Sequence, residues 1–401
     1  MTAIWGLWVL QSLWCLYNVR RFRRQVLRHE QFLRKTNHPR PPAVVIVPVK
    51  GDDGHLREHV EALFQQDYPT YRLVFVVESA DDPAHGPLTD LIEARREGRG
   101  PEASLHVAGR AESGGQKVHN QLHALERLRD TDQLIVFADA DAVPGPDWLI
   151  AMAFGATRKN RGAATGYRWM VPDAPNVASS IASVLNASAA TLLGRARWNQ
   201  AWGGSMGLLR QNMEKIDLVN RMRGALSDDY QFTRAVKAAG MKIQFVSSAM
   251  PISPVRFTFG SLVSFALRQY RISRLYAPIV WWLSLLCLSF YAVGWVTAVV
   301  AGAAGIVWAA LPASAVIVLD AWRGRSRAAA FATCFGRERA DLWRPAAAWD
   351  TAATPLWMGL NLLLLVASGF GRCIHWAGIR YRILGHQDVR IEGRDGAGAD
   401  R

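Results

Sequence analysis

Cysteine is scarce in this chain: four residues in 401, at positions 15, 287, 334 and 373, and none between Lys35 and Arg274. That spacing speaks against a disulfide framework or a Cys-ligated zinc site in the polar middle of the chain, and it is compatible with a reducing compartment. Lysine is scarce too. The 47 basic residues include only 7 lysines, which leaves 40 arginines and a formal net charge of +14. Such a balance suits an anionic membrane surface or a phosphorylated ligand at least as well as nucleic acid, and no nucleic-acid partner is expected. Charge itself is sparse, 20% against 50% hydrophobic residues, too apolar a composition for a disordered protein. It vanishes altogether from Leu275 to Leu319, 45 residues that would span about 68 Å as a helix at ~1.5 Å per residue. The hydrocarbon core of a bilayer is roughly 30 Å thick, so two spans fit there and a purely soluble protein does not.

The first 19 residues also lack charge and run straight into Arg20, Arg21, Arg23 and Arg24. A secretory signal has the opposite polarity, so residues 1–20 read as an uncleaved anchor with its C-terminal end in the cytoplasm. Pro39 to Pro42 lead stiffly into a soluble domain over 38–257. There the β-branched runs Val44 to Val49, Leu73 to Val77 and Leu134 to Ala138 alternate with helical stretches. This is the pattern of an α/β fold, an open sheet that binds ligands at the carboxyl ends of its strands. The remainder divides into a helix over 258–276, a transmembrane pair over 277–321, a basic segment over 322–350, a membrane segment over 351–371 and a basic tail over 372–401. Counting spans from the anchor puts the arginines of that tail on the wrong side of the bilayer, so one late segment is expected to be re-entrant or interfacial.

Three acidic clusters stand out in the soluble domain. Asp139-Ala140-Asp141 ends the run Leu134 to Ala138, and two carboxylates there can hold a hard divalent cation completed by substrate phosphates. The tripeptide alone is common by chance; its place after a buried strand is what gives it weight. Asp81-Asp82-Pro83 and Ser227-Asp228-Asp229 read on their own as turn and helix-cap chemistry. Arg268 and Arg271, three apart on one helix face just before the long apolar run, could meet a diphosphate or simply reach lipid headgroups.

Taken in order, Lys50-Gly51, Asp67-Tyr68-Pro69, Asp81-Asp82-Pro83-Ala84, Lys117 with Asn120, Asp139, Asp228-Asp229-Tyr230, Arg268-x-x-Arg271 and Arg380-Tyr381-Arg382-Ile383 resemble the ceramide glucosyltransferase family. Its members are inverting membrane glycosyltransferases related to cellulose and hyaluronan synthases. The resemblance implies a GT-A, Rossmann-like nucleotide-sugar domain with N-terminal and C-terminal transmembrane helices, working on a UDP-sugar and a membrane lipid acceptor. It implies that Lys50, Asp82, Lys117, Asp139, Arg268 and Arg271 bind substrate, with Asp82 near the uridine. It also implies that Asp139 and Asp141 hold Mg²⁺ or Mn²⁺, and that Asp229, flanked by Asp228, is the general base. Ile272 stands where the family has Trp, so the stacking of that ring is absent here or supplied by another residue. The implied protein is an integral membrane protein with a cytoplasmic catalytic domain, as in a bacterial inner membrane.

Chemistry agrees with the assignment. A departing nucleoside diphosphate needs its negative charge neutralised, and a lipid hydroxyl needs a carboxylate to take its proton. One base without a carboxylate nucleophile predicts single displacement with inversion, and the resemblance implies transfer of one sugar, with glucose the expected one. Two rivals remain: a processive polysaccharide synthase, for which three or four spans are few, and an inactive scaffold, whose acidic positions should be broken. His55-Leu56-Arg57-Glu58-His59 also fits an inverted zinc-peptidase pattern, without a recognisable third ligand. Trp198 and Trp202 to Ser205 are either an acceptor-site loop or a packing turn.

Overall fold

A computed structural model describes residues 1–35, 38–52, 54–95 and 100–395. The last six positions of the expected tail therefore lie outside the described residues. In chain order the strands are β1 (Ala43–Pro48), β2 (Tyr71–Val77), β3 (Glu102–Val107), β4 (Leu134–Ala138), β5 (Ala163–Thr165), β6 (Trp169–Pro172), β7 (Ser205–Leu209), β8 (Ile243–Phe245), β9 (Ile252–Val255), β10 (Cys373–Trp376), β11 (Ile379–Ile383) and β12 (Val389–Arg394). The chain forms two compact units, one of Met1–Arg28, Trp169–Leu192 and Pro254–Gly371, the other of His29–Arg168, Leu193–Ser253 and Arg372–Arg401.

The second unit is the α/β domain. Its seven-stranded sheet has the order β3-β2-β1-β4-β7-β5-β8. β1 pairs in parallel with both β2 and β4, whereas β7 runs antiparallel to β4 and β5. Val45, Val47, Leu73, Phe75 and Val136 are buried in one core, and Val44, Ile46, Val74, Ile135 and Phe137 in another. Strands covered on both faces need no polar alternation, which is why they appear in the sequence as continuous apolar runs. Each such side chain contributes about 1.5–3 kcal/mol by leaving water. With β2 on one side of β1 and β4 on the other, the strand order reverses at β1, and a crevice opens beyond the carboxyl ends of β1 and β4. Lys50-Gly51 follow the first and Asp139 the second.

The tail belongs to this unit. β10, β11 and β12 form a separate antiparallel sheet. Arg394 fastens it, donating to Ala111 O and Gln116 Oε1 at 3.0 Å each and pairing with Glu78 at 3.3 Å. Conversely, residues 169–192, which the sequence placed inside 38–257, group with the apolar helices of the first unit.

In that first unit, helix Phe259–Tyr276 starts where expected, capped by Thr258 in a reciprocal box with Ser261. Among the described residues one helix, Pro278–Ala303, is long and apolar enough to cross a membrane. The expected pair over 277–321 differs, because the chain turns after Ala303 and helix Ala310–Phe335 carries charge into its second half. Asp320 accepts from Tyr291 at 2.6 Å and pairs with Arg323 at 3.0 Å, while Asp350 pairs with Arg327 at 2.5 Å. The segment expected over 351–371 is a helix of 14 residues, Thr354–Ala367, about 21 Å long and too short to span alone. It meets the preceding helical stretch at 90°, the bent form of a broken span or a re-entrant loop. Helix Thr2–Lys35, with the expected anchor at its start, is long enough for a span at 34 residues, but it bears arginines in its second half and is not apolar enough to count as one.

Candidate active site

A cleft of about 320 Å³ lies in the α/β unit where the topology calls for one, with Lys50, Gly51, Lys117, Asn120, Asp139 and Asp141 among its lining. Lys117, on helix Gln116–Leu125, reaches Asp139 Oδ1 at 2.6 Å and Asp228 Oδ2 at 3.0 Å. Gln121, one turn along the same helix, donates to Asp228 Oδ2 at 2.8 Å. Burial opposes the charge on Lys117, but Asp139 and Asp228 more than offset it and hold the ammonium above its usual range.

The Asp139 carboxyl is raised as well: burial lifts it, Lys117 opposes the rise, and Asp141 and Asp228 add to it. The backbone of Gly203 and Gly204 presses on this cluster, since a Cβ on Gly203 would sit 2.5 Å from Asp228 Oδ2 and one on Gly204 2.7 Å from Asp139 Oδ2. Only glycine allows that approach. The loop whose role the sequence left open thus packs onto the two carboxylates.

Asp229 begins helix Asp228–Ala238 beside its cap, Ser227. The Ser227 hydroxyl donates to Asp229 Oδ1, which also accepts from the Tyr230 amide at 2.7 Å. Burial, then the neighbouring charge of Asp228, raise the Asp229 carboxyl to about 6 against those two bonds. Asp82 Oδ1 accepts from the amides of Gly51 at 2.9 Å and Ala84 at 3.0 Å, tying the turn after β2 to the loop after β1. Lys50 pairs with Glu78 at 2.9 Å. Arg268 and Arg271 lie on helix Phe259–Tyr276 of the first unit, together with a buried Ile272.

Asp141 is half exposed and paired with Arg168 at 3.0 Å. Arg168 also lies 5.7 Å from the Trp202 ring, and Tyr167 meets Trp202 edge-on at 5.9 Å. No three metal-ligating side chains gather among the described residues. Two carboxylates directly after one strand, paired with Lys117 and Arg168, still offer hard oxygen ligands that fit a cation completing its coordination with phosphate oxygens and water. Mg²⁺ and Mn²⁺ are such cations.

Several residues of the cleft escape sequence reasoning. His59 is buried on helix Leu56–Phe64, and its ring Nδ1 meets Ala140 O, the centre of the Asp-Ala-Asp turn. The supposed zinc motif therefore steadies the turn instead of binding zinc. Trp376, Ile379 and Tyr381 of the tail also line the cleft. The alternation Ile379-Arg-Tyr-Arg-Ile383 was the available signal for that strand.

The sheet order and the cleft define an α/β domain that carries a binding site at the carboxyl ends of its central strands. Residues 6–387 match glycosyl transferase family 21, and the chain belongs to that family, the ceramide glucosyltransferase family its motifs resemble. Over 67 residues the chain is 33% identical to the ceramide glucosyltransferase of Komagataella phaffii, a stretch that covers 16% of this chain and 13% of that protein. Similar solved structures include the mannosyltransferase PcManGT from Pyrobaculum calidifontis in complex with GDP-Man and Mn²⁺, at 15% identity and TM-score 0.46, covering 91% of this chain and 97% of that one. Another is S. aureus TarS 1–349 in complex with UDP-GlcNAc, at 12% identity and TM-score 0.38, covering 88% of this chain and all of that one.

Proposed function

We propose that this enzyme transfers one glucose from UDP-glucose to a lipid hydroxyl such as that of ceramide, with inversion, on the cytoplasmic leaflet of a membrane. The observation that carries the reading is Lys117 joined at once to Asp139 and Asp228, with Asp229 next in the chain. This reading takes Asp139 for the side of the leaving group and Asp229 for the side of the acceptor, with the Lys117 ammonium between Asp139 and Asp228. Mg²⁺ or Mn²⁺ on Asp139 and Asp141, when bound, would supply Lewis-acid neutralisation of the diphosphate.

The chain's own groups do the rest. Asp229 takes the proton of the acceptor hydroxyl; the hydroxyl oxygen bonds to the anomeric carbon as the bond to the diphosphate breaks on the opposite face. A base whose carboxyl titrates near 6 is ionised at neutral pH yet basic enough to accept that proton. Lys117 faces the charge that develops on the diphosphate, and Lys50 and Asp82 orient the nucleoside. The lipid keeps its tails in the bilayer, and its new sugar fills the place of the next donor, so each lipid receives one sugar.

Membranes containing the enzyme, incubated with a panel of UDP-sugars and lipids, should yield a monoglycosylated lipid with one UDP released per product. Mass spectrometry showing lipids with two, three and more sugars would overturn the single-transfer reading. A product with the donor's anomeric configuration would overturn inversion.

A further inference from the structure

The tail hairpin places an aromatic ring in the donor cleft. Trp376 ends β10 and Ile379 begins β11, directly paired across the turn. The two residues between them, Ala377 and Gly378, both have positive φ, 50° and 70°. Two consecutive left-handed residues make the tight turn that matches strand twist, and Gly-rich pairs normally fill it. An alanine there is a conformation held by its surroundings. Ile379 pairs in turn with Arg394, which contacts Glu78, and Glu78 holds Lys50. Trp376 is thus the outermost of a row of residues fixed to the Lys50 end of the cleft.

A nucleotide sugar is a charged diphosphate between two ring systems, and the lining of this cleft combines the charged Lys50, Lys117, Asp139 and Asp141 with the ring of Trp376. We propose that Trp376 is the stacking platform for the nucleobase of the donor, so that the far end of the chain supplies part of the nucleotide site. The inference rests on the UDP-sugar reading above and assigns the base, not the hexose, to this ring.

Titration calorimetry on the detergent-solubilised full chain with Mn²⁺ tests it, using UDP and UDP-glucose in parallel. Base stacking on an aromatic ring is worth about 1–3 kcal/mol, roughly five- to 150-fold. Trp376→Ala and Trp376→Leu should therefore weaken both ligands by the same factor in that range, and Trp376→Phe should restore most of the affinity. The leucine variant keeps apolar bulk at the hairpin, so the test survives misfolding of the alanine variant. UDP affinity within twofold of wild type in the leucine variant overturns the proposal, whether or not UDP-glucose affinity falls. A wild-type protein that binds no UDP overturns the donor reading itself, an outcome distinct from the first.

Discussion

Lys117 Nζ stands 2.6 Å from Asp139 Oδ1, a contact between the first turn of one helix and the residue that ends the central strand β4. Because the same ammonium also reaches Asp228, one side chain balances two carboxylates that would otherwise repel each other.

Removing that charge should be costly. Lys117→Met leaves Asp139 and Asp228 without their cation, and loss of one member of such a buried set destabilises by about 3 kcal/mol. Thermal melting of the solubilised protein should show the drop at neutral pH, with Lys117→Arg losing much less. Equal melting of the methionine variant and wild type would refute the account.

Asp229→Asn should separate binding from chemistry, keeping UDP-glucose affinity while transfer falls by about 10² to 10⁴. In the wild type, turnover should fall as pH drops through about 6, where the base becomes protonated. Stability responds with the opposite sign. The folded carboxyl is raised above its ordinary value of 3.8, so ionising Asp229 opposes folding progressively between that pH and about 6, and fully above it. The asparagine variant should therefore melt no lower than wild type at neutral pH, with no advantage near pH 3. A pH series of melting curves on both proteins checks the crossing.

Chelation should abolish transfer, and Mn²⁺ or Mg²⁺ should restore it, because Asp139 and Asp141 offer only hard oxygen ligands. Asp139→Ala should bind UDP-glucose weakly even in excess metal, as calorimetry would show. Full turnover after exhaustive chelation would shift the whole task to Lys117.

Asp350, fully buried, pairs with Arg327 at 2.5 Å and lies 3.9 Å from Arg323. Asp350→Ala takes from buried Arg327 its paired carboxylate and leaves Arg323 with Asp320 and Thr354, and should lower stability by about 3–5 kcal/mol. A melting temperature within a degree of wild type would show that the arginines find other partners.

Much of the α/β unit was legible because its central strands carry their own signal. Leu134 to Ala138 was read with the bounds observed, and the runs of β1 and β2 were placed within two residues. Strand β7 was not found, since Ser205-Met-Gly-Leu-Leu is short, contains glycine and follows two more. The family motifs named Asp139, Asp228 and Asp229, but no spacing could reveal that Lys117 bridges the first two, because that contact exists only once the sheet is assembled. The membrane reading followed hydropathy alone. Hydropathy cannot foresee that Asp320 and Arg323 neutralise each other inside the helix layer, and so it ended a helix where the chain continues.

The fastening of Arg394 to Glu78 and Gln116 sets an order of assembly. Some three hundred residues separate those partners, with every apolar helix of the second half of the chain between them. The part of the cleft lined by Trp376, Ile379 and Tyr381 is therefore among the last pieces of the α/β unit to be made, and the carboxylates of the cleft exist in the chain long before it does.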